Sequence, residues 1–315
     1  MEATPLPSSR GQESSAKNPT LSPPSPSLSL SPSPSRLWRP AAQRNLRNQW
    51  SKLLSSKDRW VSAASEGRAR ATSLVNAYLS RKYLPEMDLG VLKDMPGIRQ
   101  KACDKLAQKQ ELYHNMLISS YKEMVVAVSH LVKASSSMRC FLKGSVAGPL
   151  VQFCDHPENK NDFGDGGGIP VFSSFPISHF ENLAQELVEM FALELSLKRL
   201  LVVELLSISW SQNTGQIDGL KWSDELYLGE FDDLRMNGLY SEESCEPLPP
   251  RIKNWDSSIP LTRHLDHPPK SEVLQVYLTT WLADVNINMN RIQDYKALSA
   301  MVLHVHEGIW CLLLD

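Results

Sequence analysis

The stretch that decides the fold runs from Ile177 to Ile208: ISHFENLAQELVEMFALELSLKRLLVVELLSI. Phe180, Leu183, Leu187, Phe191, Leu197, Leu201, Leu205 and Ile208 make a wide apolar stripe at helical spacing, uninterrupted by proline or glycine. Ser178 and Glu181, just after Pro176, have the Ser-x-x-Glu spacing of a capping box. The pattern predicts a helix over 177–208. Glu194 precedes Lys198 by four residues, the favourable order for an ion pair on an exposed helix face. Such a pair contributes only about 0.2–0.5 kcal/mol.

Two further seams lie N-terminal to it. Leu46, Trp50, Leu53, Trp60, Ala64, Ala71, Leu74 and Tyr78 predict one long amphipathic helix from Ala41 that ends before Pro85. Lys57 and Gly67 interrupt this seam, and Gly67 marks a candidate bend. After Pro96-Gly97, a second seam runs through Ala102, Leu106, Tyr113, Met116, Met124, Ala127, Leu131, Ala134 and Met138. A pattern this long suits a coiled coil or a bundle helix. Leu46 also completes Arg44-Asn45-Leu46, a basic-x-Leu pattern that cyclins dock, but its place on the seam points to core packing. Residues 41–142 therefore read as two long helices.

Between the helices the composition changes. Residues 143–176 read as a flexible glycine-rich loop; Asp162 to Gly168 lacks the strand and the lysine-hydroxyl pair of a phosphate loop, and fails calcium-loop spacing. Residues 209–270 lose periodicity, turn acidic and keep Trp222, Tyr227, Phe231, Tyr240 and Trp255. They read as a disordered insertion whose aromatics either carry binding motifs or fold back on the bundle. A shorter fourth helix starts near Ser271, with Val273, Leu274, Tyr277, Leu278 and Trp281 on one side; Ile292 to Leu303 extends the helical pattern. Residues 271–315 are this helix and a tail.

The head is different in kind. Nine of the 21 prolines and eleven serines fall in residues 1–40, so this arm reads as disordered. Ser22, Ser25, Ser31 and Ser33 are each followed by proline, and Ser33-Pro34-Ser35-Arg36 has the form cyclin-dependent kinases favour. These four are candidate phosphosites; a phosphate there adds nearly two negative charges to a flexible arm. No secretory signal layout is present, and Glu2, Glu13 and the proline density argue against a plastid transit peptide.

Little in the chain points to chemistry. The formal net charge of −2 over 315 residues predicts no direct nucleic-acid binding. No apolar run approaches the roughly 20 residues a membrane span requires, so no membrane association is expected. The five cysteines form no Cys-x-x-Cys pair and fit a reducing compartment. There is no nucleophile elbow, Walker loop or zinc-protease motif, and the His264/His267 and His304/His306 pairs lack acidic or thiol partner sets. The expectation is a non-enzymatic, all-α protein without cofactor or metal: an elongated antiparallel bundle or coiled coil of three long helices and a shorter fourth, with a disordered arm and a long disordered insertion.

The block from Phe172 to Leu205 resembles the signature region of the cyclin-dependent kinase 2-interacting protein family. The matching positions are Phe175, Pro176, His179, Phe180, Met190, Phe191, Glu194, Leu195, Lys198, Arg199, Glu204 and Leu205. Tyr277-Leu278-Thr279-Thr280-Trp281-Leu282 is similar to the family's Tyr-Leu-x-x-Trp-Leu, and Asn48, Trp50 and Leu53 resemble its opening. The head, the insertion and the tail with its Ile309–Leu314 run depart from the family pattern. The resemblance implies a nuclear helical adaptor associated with cyclin-dependent kinase complexes and with replication and checkpoint kinases. An alternative it implies is a structural subunit of an AAA ATPase complex in ribosome maturation and chromatin replication. A tethering or cytoskeletal coiled coil is a more distant reading.

Overall fold

The computed structural model describes residues 34–143, 152–210, 220–254 and 269–303. Ser22, Ser25, Ser31, Ser33, both histidine pairs, Trp255 and the 309–314 run lie outside the described residues. The all-α expectation holds: α1 spans Pro34–Tyr83, α2 Ile98–Ser136, α3 Ile177–Trp210, α4 Glu230–Met236, α5 Ser271–Ala283 and α6 Met289–Leu303. Two short antiparallel hairpins accompany them. One joins β1 (Phe141–Lys143) to β2 (Gln152–Cys154); the other joins β3 (Tyr240–Ser241) to β4 (Glu246–Pro247).

Helix α1 begins seven residues before the predicted start, with Pro40 inside it. That proline removes one backbone donor near the N-terminus, which masked the helix in the sequence. Its seam is buried as predicted, from Leu46 through Trp50, Leu53 and Trp60 to Tyr78. Leu46 is fully buried, so the basic-x-Leu pattern has no exposed leucine to dock. Helix α2 runs antiparallel to α1. Asn45 meets the α2 C-terminus, Arg59 meets Glu123, and Arg81 meets Gln110. The Asn45 amide donates to the carbonyls of Ser137, Met138 and Arg139 at 2.9, 3.0 and 3.3 Å, capping the end of α2 from a neighbouring helix.

Helix α3 runs parallel to α1, with edge-to-face contacts of Trp50 on Phe180 and Trp60 on Phe191, at 5.9 and 5.3 Å between ring centres. At its start, Glu181 takes a two-pronged hydrogen bond from Arg139 at 2.6 and 2.9 Å. The predicted capping-box glutamate thus ties α3 to the end of α2. Helices α5 and α6 run back along α3 as a fourth, broken helix. Tyr277 meets Glu204, Asp284 meets Lys198, Asn286 meets Glu194 and Arg291 meets Glu186 in descending order along α3.

Two connectors differ from expectation. The 143–176 segment is largely loop, as predicted, but its described part is anchored. The Gln43 amide donates to the Val171 carbonyl at 2.7 Å, the Cys140 amide donates to the Gly164 carbonyl at 3.1 Å, and Asp162 accepts from the amides of Leu142 and Gly164. Gly166, at φ +65°, lies against the Trp38 ring where a side chain would clash. The second difference is a correction. Residues 220–254, expected to be disordered, fold into α4 and the β3–β4 hairpin and bury Leu226, Glu230, Leu234 and Leu239. Trp222, Tyr227, Phe231 and Tyr240 pack against the core, the fold-back alternative for the aromatics.

Candidate functional site

Glu194, Lys198 and Arg199 lie in the middle of α3, and the consecutive Lys198 and Arg199 reach different neighbours, the end of α5 and the 220–254 lobe. Glu194, Lys198 and Arg199 are each at most 1% exposed. The expectation of a solvent-facing Glu194–Lys198 pair is therefore overturned. Around these residues α3 is covered by α1 and α2, by the folded-back lobe and by the broken fourth helix, and only Ala192, Leu193, Leu197 and Leu200 keep partial exposure there.

Lys198 Nζ sits 2.7 Å from Glu194 Oε1 and 2.9 Å from Asp284 Oδ1, and donates to the Trp281 carbonyl at 2.5 Å. That carbonyl is one of the last four of α5, which have no partner within the helix. A cation there also suits the negative end of the helix dipole. Glu194 Oε2 accepts from the amide of Asn286, inside the turn between α5 and α6, at 2.9 Å. The pair is thus split between two tasks, each satisfying a backbone group that the helix break would orphan. Asp284 adopts a left-handed conformation, φ 45°, which sharpens the break. Trp281 fills the slot opposite Gly67 and donates its indole N–H to the Ala64 carbonyl at 2.9 Å.

Arg199 serves the other side. Its Nε donates to Glu230 Oε1 at 2.8 Å; Nη1 and Nη2 donate to the carbonyls of Trp222 and Asp224, both at 2.7 Å. Tyr121 of α2 donates to the same Glu230 oxygen at 2.8 Å, and the amide of Leu226 donates to the other at 2.7 Å. Burial first, and the Glu230 charge second, hold the Tyr121 phenol well above its ordinary range. This cluster fastens the 220–254 lobe to α2 and α3.

The other residues of the Phe172–Leu205 block and of α5 that carry the resemblance are spread from just before α3 to α5. Phe180, Met190, Phe191 and Trp281 are buried. Half-buried Phe175, just before Pro176, stacks on His179 at 4.5 Å, and Glu204 accepts from Tyr277 at 3.3 Å. Glu194, Lys198, Arg199, Phe180, Met190, Phe191 and Trp281 are thus interior, while Phe175, Pro176, His179, Glu204 and Tyr277 remain partly exposed. Sequence reasoning missed Glu230, Asp284, Asn286 and Tyr121, which lie 31 to 109 residues from their partners and carry no local pattern. It also missed the connector between α1 and α2, where Met87, Val91, Leu92 and Met95 are exposed, Val91 at 93%, next to Tyr83 at the end of α1. Within that loop Asp88 accepts from the Gly90 amide, and Arg99 of α2 donates to the Met87 carbonyl at 2.7 Å.

A cleft of about 350 Å³ lies between α1 and the first hairpin, lined by Ala41, Arg44, Asn45, Asn48, Cys140, Phe153, Cys154 and Asp155. Its Cys140 thiol is pushed up to about 11, mainly by burial, and is protonated at neutral pH rather than poised as a nucleophile. Among the described residues, no group of three or more His, Cys, Asp or Glu side chains is placed to hold a metal ion, and no helix is long and apolar enough to cross a membrane. What these features define is an all-α bundle whose fourth helix is broken and fastened by buried charge. Comparison with family models, with curated proteins and with solved structures finds no match to this chain.

Proposed function

We propose that the chain is a non-enzymatic adaptor, acting in the nucleus, that links cyclin-dependent kinase complexes to DNA replication and checkpoint kinases through its helical surfaces. The resemblance of the α3 block supplies the partner class. The observation that carries an adaptor reading is the α1–α2 connector, a hydrogen-bonded loop that displays Met87, Val91, Leu92 and Met95 to solvent beside Tyr83 at the end of α1. Ordered apolar display of this kind marks interaction sites. The signature residues build the rigid body that holds it out, and the Ser-Pro arm would receive kinase input.

Affinity capture from nuclear extract with the wild-type chain and a Val91→Asp/Leu92→Asp variant tests the reading. Recovery of replication and checkpoint kinases by the wild type, lost in the variant, is the expected result. Capture of AAA ATPase subunits instead favours the alternative assembly role, and kinase recovery indifferent to the variant overturns the connector's part.

A further inference from the structure

The net charge of −2 averages two opposite halves of the chain. Residues 34–136, which form α1, α2 and their connector, hold 18 of the 33 lysines and arginines but 8 of the 35 acidic residues, a net charge of +10. Residues 137–315 hold 13 basic and 25 acidic residues, a net charge of −12. On the two helices the bases form rows. Lys101, Lys105 and Lys109 are exposed on one face of α2, stepping by four residues or about 6 Å. On α1, Arg59, Arg70 and Arg81 recur every eleven residues, about three turns, and Lys52 stands about two turns before Arg59. The rows adjoin where Arg81 donates to Gln110, next to Lys109, at 3.2 Å. Arg59 is taken by Glu123; among the described residues, Lys52, Arg70, Arg81, Lys101, Lys105 and Lys109 are paired with no carboxylate. Of the exposed acids on the two helices, Asp58 and Glu123 are held by Lys57 and Arg59, which leaves Glu66, Asp104 and Glu111. The sequence outside the described residues adds seven acidic and three basic residues, none in a run, so it supplies no acidic tract to neutralise the rows.

We propose that these rows bind the phosphate backbone of duplex DNA without reading its sequence. Lys52 to Arg81 covers about 44 Å of helix, the length of about 13 base pairs, along which a duplex presents a charge about every 1.7 Å. Point charges of this kind position a duplex but do not specify bases. An acidic protein partner would need an apolar or aromatic centre to its contact. The exposed large apolar side chains of the two helices are Leu37, Val61 and Tyr83, far apart on α1, and Leu112 on α2, which build no such centre. Single strands are held by stacking on exposed aromatics, and among the described residues of α1 and α2 Tyr83 alone is one, at the very end of α1. Duplex RNA is gripped largely through its 2′-hydroxyls, for which bare cations are poor partners. The acidic half repels the same duplex, which fixes the side of the chain that meets it.

Fluorescence anisotropy of the full chain with a labelled DNA duplex of about 30 base pairs, in about 50 mM salt and with no kinase present, tests this. The wild type binds in the micromolar range, and its affinity falls with salt at a log–log slope of about −5, from six phosphate contacts at about −0.9 each. Lys101→Gln/Lys105→Gln/Lys109→Gln, with unchanged circular dichroism, binds at least about tenfold more weakly and with a slope shallower by about 3. Lys160→Gln/Arg251→Gln/Lys296→Gln removes the same charge from exposed sites of the acidic half and binds like the wild type. Unlabelled duplex RNA, poly-glutamate and phosphatidylserine vesicles compete more weakly than unlabelled duplex DNA. No binding at about 100 µM chain, a lysine variant that binds like the wild type, or a control variant that loses as much each overturns the proposal. So does any of the three other polyanions competing as well as the DNA.

Discussion

Glu230 and Glu123 are both acceptors for an arginine on a helix, and they differ in what their loss costs. The Arg59–Glu123 pair is exposed on both sides and contributes about 1 kcal/mol or less. The Arg199–Glu230 pair is sealed, and Arg199 also stacks on Trp222 at 4.5 Å. Removing one member leaves a buried charge uncompensated, which costs about 3–5 kcal/mol. Glu230→Leu is therefore expected to lower unfolding free energy in urea by about that much, against at most about 1 kcal/mol for Glu123→Gln. A second residue-scale prediction concerns His114 of α2, whose imidazole is held below its ordinary 6.5 by burial, Glu111 opposing in part. The folded state prefers the neutral ring, so the unfolded chain binds the extra proton first. Stability is complete above about 6.5 and falls as pH drops from there toward the lower folded value. Thermal midpoints between pH 7.5 and 5.5 should fall further for the wild type than for His114→Gln.

At the scale of elements, the join between α1 and α5 depends on an absent side chain. Gly67→Ala would favour an isolated helix by about 1 kcal/mol. Here the added methyl would stand 2.6 Å from Cζ2 of Trp281, in the middle of a rigid ring. The ring must move, which stretches the indole hydrogen bond to Ala64 and loosens α5. The expected outcome is a lower melting temperature for Gly67→Ala despite the gain in propensity. A rise in melting temperature would mean that α5 does not close on α1 at this point. Gly67 was legible in the sequence only as an interruption and a candidate bend; its packing partner lies 214 positions away, beyond any local pattern.

Over the whole molecule, what could be read in advance follows the range of the forces involved. The three long helices, the start of α5 and the continuation near Ile292 were legible because burial of one face repeats every three to four residues. The lobe at 220–254 was not, since its order comes from Arg199, Tyr121 and Glu230 meeting across distant elements, while its own sequence is acidic and aperiodic. The Glu194–Lys198 pair misled for a related reason. Its spacing is that of a surface pair, and only the distant elements that close over Glu194 and Lys198 make it interior. Buried charge thus selects which segments close the bundle: Lys198 and Glu194 hold the α5–α6 break, and Arg199 holds the lobe. Hydrogen–deuterium exchange on Lys198→Met tests this most directly. The orphaned Trp281 carbonyl and the unpaired Glu194 and Asp284 should speed amide exchange across 271–303 by at least about tenfold, equivalent to about 1.4 kcal/mol of local opening, while α2 keeps its wild-type protection. Exchange unchanged in 271–303, or raised evenly across every helix, would contradict it.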